Sequence, residues 1–333
     1  MNKTQHYYSL DFFRGVCGYG VAITHLYAFI INSEIMEYFS LLFVEFFFVL
    51  SGFVLYPQLM KTINKKKNLI LFFQRRWMRT LPLFFIAVIL TSILTNNLFS
   101  YDFLKYLSFT QKIYPTFLEK DYYPVAWSLS IEEYFYILFP LILINLKLNN
   151  FVKYTLIIFF TLIILKFFLA NYVDSNFFRT GTFLRLDAIL FGFLIRHFLV
   201  WIVKFKKIIN FSFIFLFIFY VLMSDFFILN SEIQISKYLF ILTLQLLSGL
   251  TLIIFVNYDK FFSNKKIKNI SIIVSKQTYS IYLFHIILIY ILKYYNLHFA
   301  LTNLIYIFSL IIISNLVFNY IEKPILKLRP KLV

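Results

Sequence analysis

YTLIIFFTLIIL, residues 154–165, decides the fold class. Its side chains do not alternate between polar and apolar, as they must in a membrane barrel strand with one face to lipid and one to the lumen. A helix satisfies its own backbone in hydrocarbon and needs no such alternation. Runs of this kind recur: 61% of the 333 residues are hydrophobic and 22% aromatic. Only 14% are charged, against about a quarter in soluble domains. The expectation is an all-α, polytopic transmembrane helical bundle of about ten helices, forming a single domain over residues 1–333. The spans fall at 10–30, 39–57, 80–97, 127–146, 154–171, 183–200, 209–229, 238–256, 273–292 and 300–320. There is no repeat of fixed period and no soluble domain; the longest outer segment, 98–126, reads as a loop with one short helix.

The net charge of +17 would suit nucleic acid, but its placement argues otherwise. With the N-terminus inside, most Lys and Arg lie on inner segments such as KTINKKK, QRRWMR, VKFKK, NKKIK and EKPILKLRPKLV. Outer segments hold only Lys105, Lys112, Lys120, Arg179, Lys237 and Lys293. That asymmetry predicts both termini cytoplasmic, with attraction to anionic membrane lipids as a secondary effect and no nucleic-acid partner. Cys17 is the sole cysteine, which excludes an intrachain disulfide and a cysteine-based metal site. The first span reads as retained, since charges interrupt it and no small-residue cleavage site stands out.

Polar residues inside these spans are the candidates for chemistry. LDFFRGVCGYGVAITH, residues 10–25, holds Asp11, Arg14 and His25. Arg14 and His25 are eleven residues apart, close to three turns, so they share a face about 16 Å apart along the axis. Gly15, Gly18 and Ala22 lie near that face, open to a neighbouring helix or a ligand. The pattern suits a long anionic ligand with its charge at the inner mouth; snorkelling of Arg14 and helix packing by His25 are the plain alternatives. VEFFFVLSGF, residues 44–53, holds Glu45, which should face the bundle interior, and Ser51 beside Gly52. Arg75, Arg76 and Arg79 fall within one turn and suit either phosphate recognition or topological anchoring. In WSLSIEEYFY, residues 127–136, Glu132 and Glu133 suit proton transfer, the orienting of a base, or a grip on a sugar hydroxyl. Trp127 alone also fits an interfacial belt. Arg185 and Asp187 are two apart, so each needs a partner elsewhere. His285 falls near mid-membrane, while Lys166 and Asp225 sit nearer span ends and read as snorkelling or boundary residues.

Taken together, these stretches resemble acyltransferase family 3, integral-membrane O-acyltransferases that modify bacterial surface glycans and some small molecules. The resemblance rests on LDFFRGVCGYGVAITH, VEFFFVLSGF, RRWMRTLP, WSLSIEEYFY, RLDAILFG, YSIYLFH and IEKP, in that order over nearly the whole chain. The family usually has more Gly and Ala in its first helix, and often Ile-Tyr-Pro or Ile-Leu-Pro where Thr80-Leu81-Pro82 stands here. The resemblance implies acyl-CoA, usually acetyl-CoA, as a cytoplasmic donor substrate, with no permanently bound cofactor and no metal. It implies essential roles for Arg14 and His25 and a conserved place for Arg75, Arg76 and Arg79. Val333 follows shortly after IEKP, so the short form without a C-terminal hydrolase-like domain is expected. Such relatives sit in the bacterial cytoplasmic membrane and O-acetylate O-antigen, capsule, exopolysaccharide or a lipid-linked precursor.

The expected mechanism joins the two readings. Asp11, Arg14, Arg75, Arg76, Arg79 and Ser51 would serve the donor, with the pantetheine arm along the small-residue face of the first span. Glu45, Trp127, Arg185, Asp187 and His285 would serve the saccharide, arriving from outside. His25 would take the hydroxyl proton, assisted by Glu132 or Glu133, and Ser51 could steady the oxyanion. An acyl-histidine variant stays open. The rival class is a polysaccharide or lipid transporter without acyl transfer, which also places polar residues at the midplane.

Overall fold

Every expected span falls on a helix in the computed structural model, which describes residues 6–65, 68–144, 150–295 and 298–331. Residues 145 and 146 of the fourth expected span lie outside the described residues, as do Lys66 and Lys67 of KTINKKK and the final Leu332 and Val333. The helices are α1 (Tyr8–Ile30), α2 (Glu34–Asn64), α3 (Asn68–Leu94), α4 (Tyr101–Leu107) and α5 (Ala126–Ile144). Then come α6 (Phe151–Leu169), α7 (Ser175–Thr180), α8 (Leu186–Ile202), α9 (Lys206–Leu222) and α10 (Ser224–Leu229). Last are α11 (Gln234–Asn257), α12 (Asp259–Phe262), α13 (Lys265–Tyr295), α14 (Phe299–Val317) and α15 (Lys323–Lys327). Among the described residues there are eight helical stretches long and apolar enough to cross a membrane. One of them, Phe183–Leu222, contains both α8 and α9, broken by a tight turn at Val203–Phe205. α1 is not among the eight, but its 23 residues reach the length a span requires. The chain is a polytopic helical membrane bundle.

Two helix contacts organise it. α1 and α13 run parallel: Arg14 meets Ser275, Gly18 faces Thr278 and His25 meets His285, all with a sequence offset near 260. Such a register is possible because glycines line the seam. A Cβ on Gly15 would lie 2.4 Å from a methyl of Val274, and one on Gly18 2.7 Å from a methyl of Thr278. α2 crosses α8 equally closely. There a Cβ on Gly52 would lie 1.8 Å from the Ile189 carbonyl oxygen, and one on Gly192 1.9 Å from that of Val49. α2 therefore belongs to both apolar cores, its Phe43 and Phe47 packing against each. α6 and α14 stand at the rim, with only 11% and 17% of their apolar windows buried.

The segment after α3 contains the expected short helix, α4, and is tied down by Asp102. That carboxylate accepts from Lys105 Nζ at 2.9 Å and from the backbone N–H groups of Lys120 at 2.7 Å and Glu119 at 3.2 Å. Burial alone would raise its pKa; these donors, Lys105 foremost, hold it below the usual carboxylate range.

Candidate functional site

A cavity of about 120 Å³ lies between α1, α2, α3, α5 and α13. One end is basic, lined by Arg14, Arg76, Arg79 and Arg329. The other reaches Ser128 and Tyr282, with Ser51 and Glu132 on the wall between. Arg14 holds Ser275 Oγ at 3.5 Å, and that hydroxyl donates to Asp11 Oδ1 at 3.2 Å. Arg76 is buried, donates to Gln58 Oε1 at 3.2 Å and lies over the Tyr136 ring at 5.0 Å. No ion pair joins Arg76, Arg79 or Arg329 to a carboxylate among the described residues. Four guanidinium groups converging with one carboxylate, Glu132, make an anion site with spare positive charge.

Sequence reasoning missed Arg329, because a basic tail reads as topological anchoring. Its neighbour explains its position: Arg75 donates to the Pro330 carbonyl and so fastens the tail across the mouth. Arg75 thus clasps the chain, while Arg76 and Arg79 line the cavity. Arg329 has its pKa pushed down to about 10 by burial and by Arg79, Arg75 and Arg76. Gln58, Tyr136, Ser128 and Tyr282 line the cavity too; the last three lie in the stretches that carried the resemblance, while Gln58 falls just past the expected second span and gave no signal. Asp11 falls in an adjoining cavity of about 160 Å³, which shares Arg14. It sits 2.7 Å from His6 and 3.9 Å from Arg14.

The paired carboxylates part company, as successive residues on a helix must, about 100° apart. Glu132 turns into the cavity, where Ser51 Oγ donates to it at 2.5 Å and Tyr136 OH at 3.0 Å. Glu133 turns away and accepts from Thr80 Oγ1 at 2.6 Å. Ser51 gives its proton to Glu132 and so helps hold that carboxylate in place. Neither carboxylate bonds His25. Its partner is His285: Nδ1 of His25 and Nε2 of His285 are 2.9 Å apart. The two rings are only 22° from parallel planes. His285 is fully buried and lies one turn beyond Tyr282, ring centroids 5.9 Å apart. The hydroxyls of Tyr282 and Ser128 are 2.6 Å apart at the end of the cavity away from the arginines.

Of the two approaches expected at the small-residue face of α1, a neighbouring helix or a ligand, the structure shows the helix. α13 covers that face at Gly15 and Gly18, and Tyr306 OH donates to the Ala22 carbonyl at 2.8 Å. No room remains there for a pantetheine arm.

The expected saccharide residues divide likewise. Glu45 and Arg185 form a buried ion pair, and Asp187 pairs with Lys166 Nζ at 2.5 Å. Arg185 and Asp187 each found the separate partner their spacing demanded. Lys166 is 3% exposed, so it does not snorkel. This quartet ties α2, α6 and α8 together and lines none of the cavities described here. Trp127 packs edge-on against Phe48 at 5.6 Å, half-buried in the core instead of lying on an open rim.

The profile described as an acyltransferase domain, that of acyltransferase family 3, matches residues 7–321. The chain belongs to this family. A protein named "Putative O-acetyltransferase" in Staphylococcus aureus strain COL is 27% identical over 374 aligned positions, spanning 98% of this chain and 58% of the relative. The O-acetyltransferase OatA of Staphylococcus aureus strain NCTC 8325 is 26% identical over 356, spanning 96% of this chain and 57% of its own length. The chain thus spans less than three-fifths of these curated relatives. No solved structure matches it.

Proposed function

We propose that this protein is an O-acyltransferase of the bacterial cytoplasmic membrane. It moves an acetyl group from cytoplasmic acetyl-CoA to a hydroxyl of a cell-surface or lipid-linked saccharide, such as O-antigen, capsule or exopolysaccharide. The observation that carries this reading is the cavity's polarity: four arginines at one end, and at the other Tyr282, in ring contact with the histidine that bonds His25. The donor's phosphates rest against Arg14, Arg76, Arg79 and Arg329. The pantetheine arm runs inside the cavity, past Glu132 and Ser51, and carries the thioester toward Tyr282. Both termini and the basic mouth face the cytoplasm, and the saccharide arrives from the opposite side.

His25 takes the proton of the acceptor hydroxyl. The resulting oxygen attacks the thioester carbon, the new C–O bond forms, and the C–S bond breaks. Coenzyme A leaves as a thiolate that accepts the proton from the imidazolium, restoring His25. Ser128 and Tyr282 stand nearest the reacting end, their hydroxyls bonded to each other and to the Val125 carbonyl. Glu132, fixed by two donors, orients what passes through the cavity.

The test is labelled acetyl transfer by purified protein in lipid nanodiscs, from acetyl-CoA to a glycolipid extract of the native membranes. Wild type should label the saccharide fraction, and His25→Ala should be slower by about 10²–10⁴-fold while inserting normally. No transfer by wild type, or full transfer by His25→Ala, would overturn the reading.

A further inference from the structure

His25 and His285 form a chain of hydrogen bonds that admits one arrangement of protons. His285 Nδ1 lies 3.2 Å from the Ile281 carbonyl oxygen. A carbonyl only accepts, so that nitrogen carries the hydrogen. Neutral His285 then presents a bare Nε2, 2.9 Å from Nδ1 of His25. A bare nitrogen needs a donor, so His25 carries its hydrogen on Nδ1. Its own lone pair is left on Nε2, which has no hydrogen-bond partner among the described residues. His285 is fully buried on a long helix, so its ring is locked where the seam between α1 and α13 places it.

We propose that His285 is a positioning residue: it fixes the tautomer and ring orientation of His25, so that Nε2 of His25 is the atom that receives the substrate proton. It departs from the sequence expectation that His285 binds saccharide. When Nε2 takes the proton, the Nδ1–H of His25 becomes a charge-assisted donor to His285, and the Ile281 carbonyl accepts the polarisation at the far end. In serine hydrolases a carboxylate does this for its histidine; here a neutral imidazole does it, adding no charge to the membrane interior. The proposal rests on the assignment of His25 as base.

The experiment compares wild type, His25→Ala, His285→Leu and His285→Gln in nanodiscs, with acetyl-CoA and the glycolipid extract. His285→Leu should lower kcat by about 100-fold and leave KM for acetyl-CoA within about twofold, since donor binding is untouched. His285→Gln keeps an acceptor oxygen near the lost Nε2 and should recover at least about tenfold of that loss. Nitrogen-15 NMR of histidine-labelled wild type should show both rings as the Nδ1–H form. Normal kcat in His285→Leu, equal loss in both variants, or His25 protonated on Nε2 would overturn the proposal. Should His285→Leu fail to fold, the glutamine variant and the wild-type spectrum still decide. Activity in His25→Ala would instead remove the base assignment itself.

Discussion

Arg329 shows how far a single side chain can escape a reading by composition. It sits in a basic tail, where positive charge usually marks only sidedness. Yet it lines the same cavity as Arg14, Arg76 and Arg79, because Arg75 ties the adjacent Pro330 carbonyl to α3. A charged hydrogen bond to a phosphate is worth about 1.5–3 kcal/mol. Arg329→Ala should therefore raise KM for acetyl-CoA by about tenfold or more, with kcat little changed, in steady-state transfer assays. At this scale Arg14, Glu132 and Ser51 were legible as candidates, since a polar group inside an apolar run is costly and conspicuous, and Arg76 and Arg79 by their clustering within one turn. Their partners were not. Nothing in WSLSIEEYFY says that Glu132 faces Ser51 while Glu133 faces Thr80. Those choices depend on which neighbours surround the helix.

At the scale of elements, the same limit made the charged quartet look like a binding site. Glu45, Arg185 and Asp187 were visible, but Lys166 was set aside at a span end, although it completes the set. A buried pair loses about 3–5 kcal/mol when one partner is removed, whereas replacing both with apolar groups is often neutral. Lys166→Met should therefore lower the thermal stability of the detergent-solubilised protein strongly, and Lys166→Met with Asp187→Leu should restore most of it. Equal loss in the single and double variants would show that an unpaired buried Asp187 is not what destabilises the single variant. The loop after α3 makes a prediction about pH. The Asp102 carboxyl is held below its ordinary range by Lys105 and two backbone N–H groups. Its contribution is thus complete above the ordinary aspartate value, near 3.9, and fades only as pH falls through the lowered one. Hydrogen exchange in α4, corrected for intrinsic rates, should stay slow down to about pH 4 and rise in stronger acid. In Asp102→Asn it should be fast throughout.

At the scale of the whole molecule, the fold class was legible because hydropathy along one chain suffices to mark helices that cross a membrane. YTLIIFFTLIIL became α6, a rim helix largely facing outward, as an unbroken apolar run should. The arrangement of helices was not legible. Gly15 and Gly18 announced a close approach, but only the structure shows that α13 makes it. On that single fact the proposed donor path leaves the glycine face of α1 for the cavity between α1, α2, α3, α5 and α13. The most direct measurement of the account is an experimental structure with coenzyme A bound. The account predicts phosphates against Arg14, Arg76, Arg79 and Arg329, with the sulfur at the Tyr282 end of the cavity. Coenzyme A seated elsewhere, or with its sulfur at the basic mouth, would contradict it.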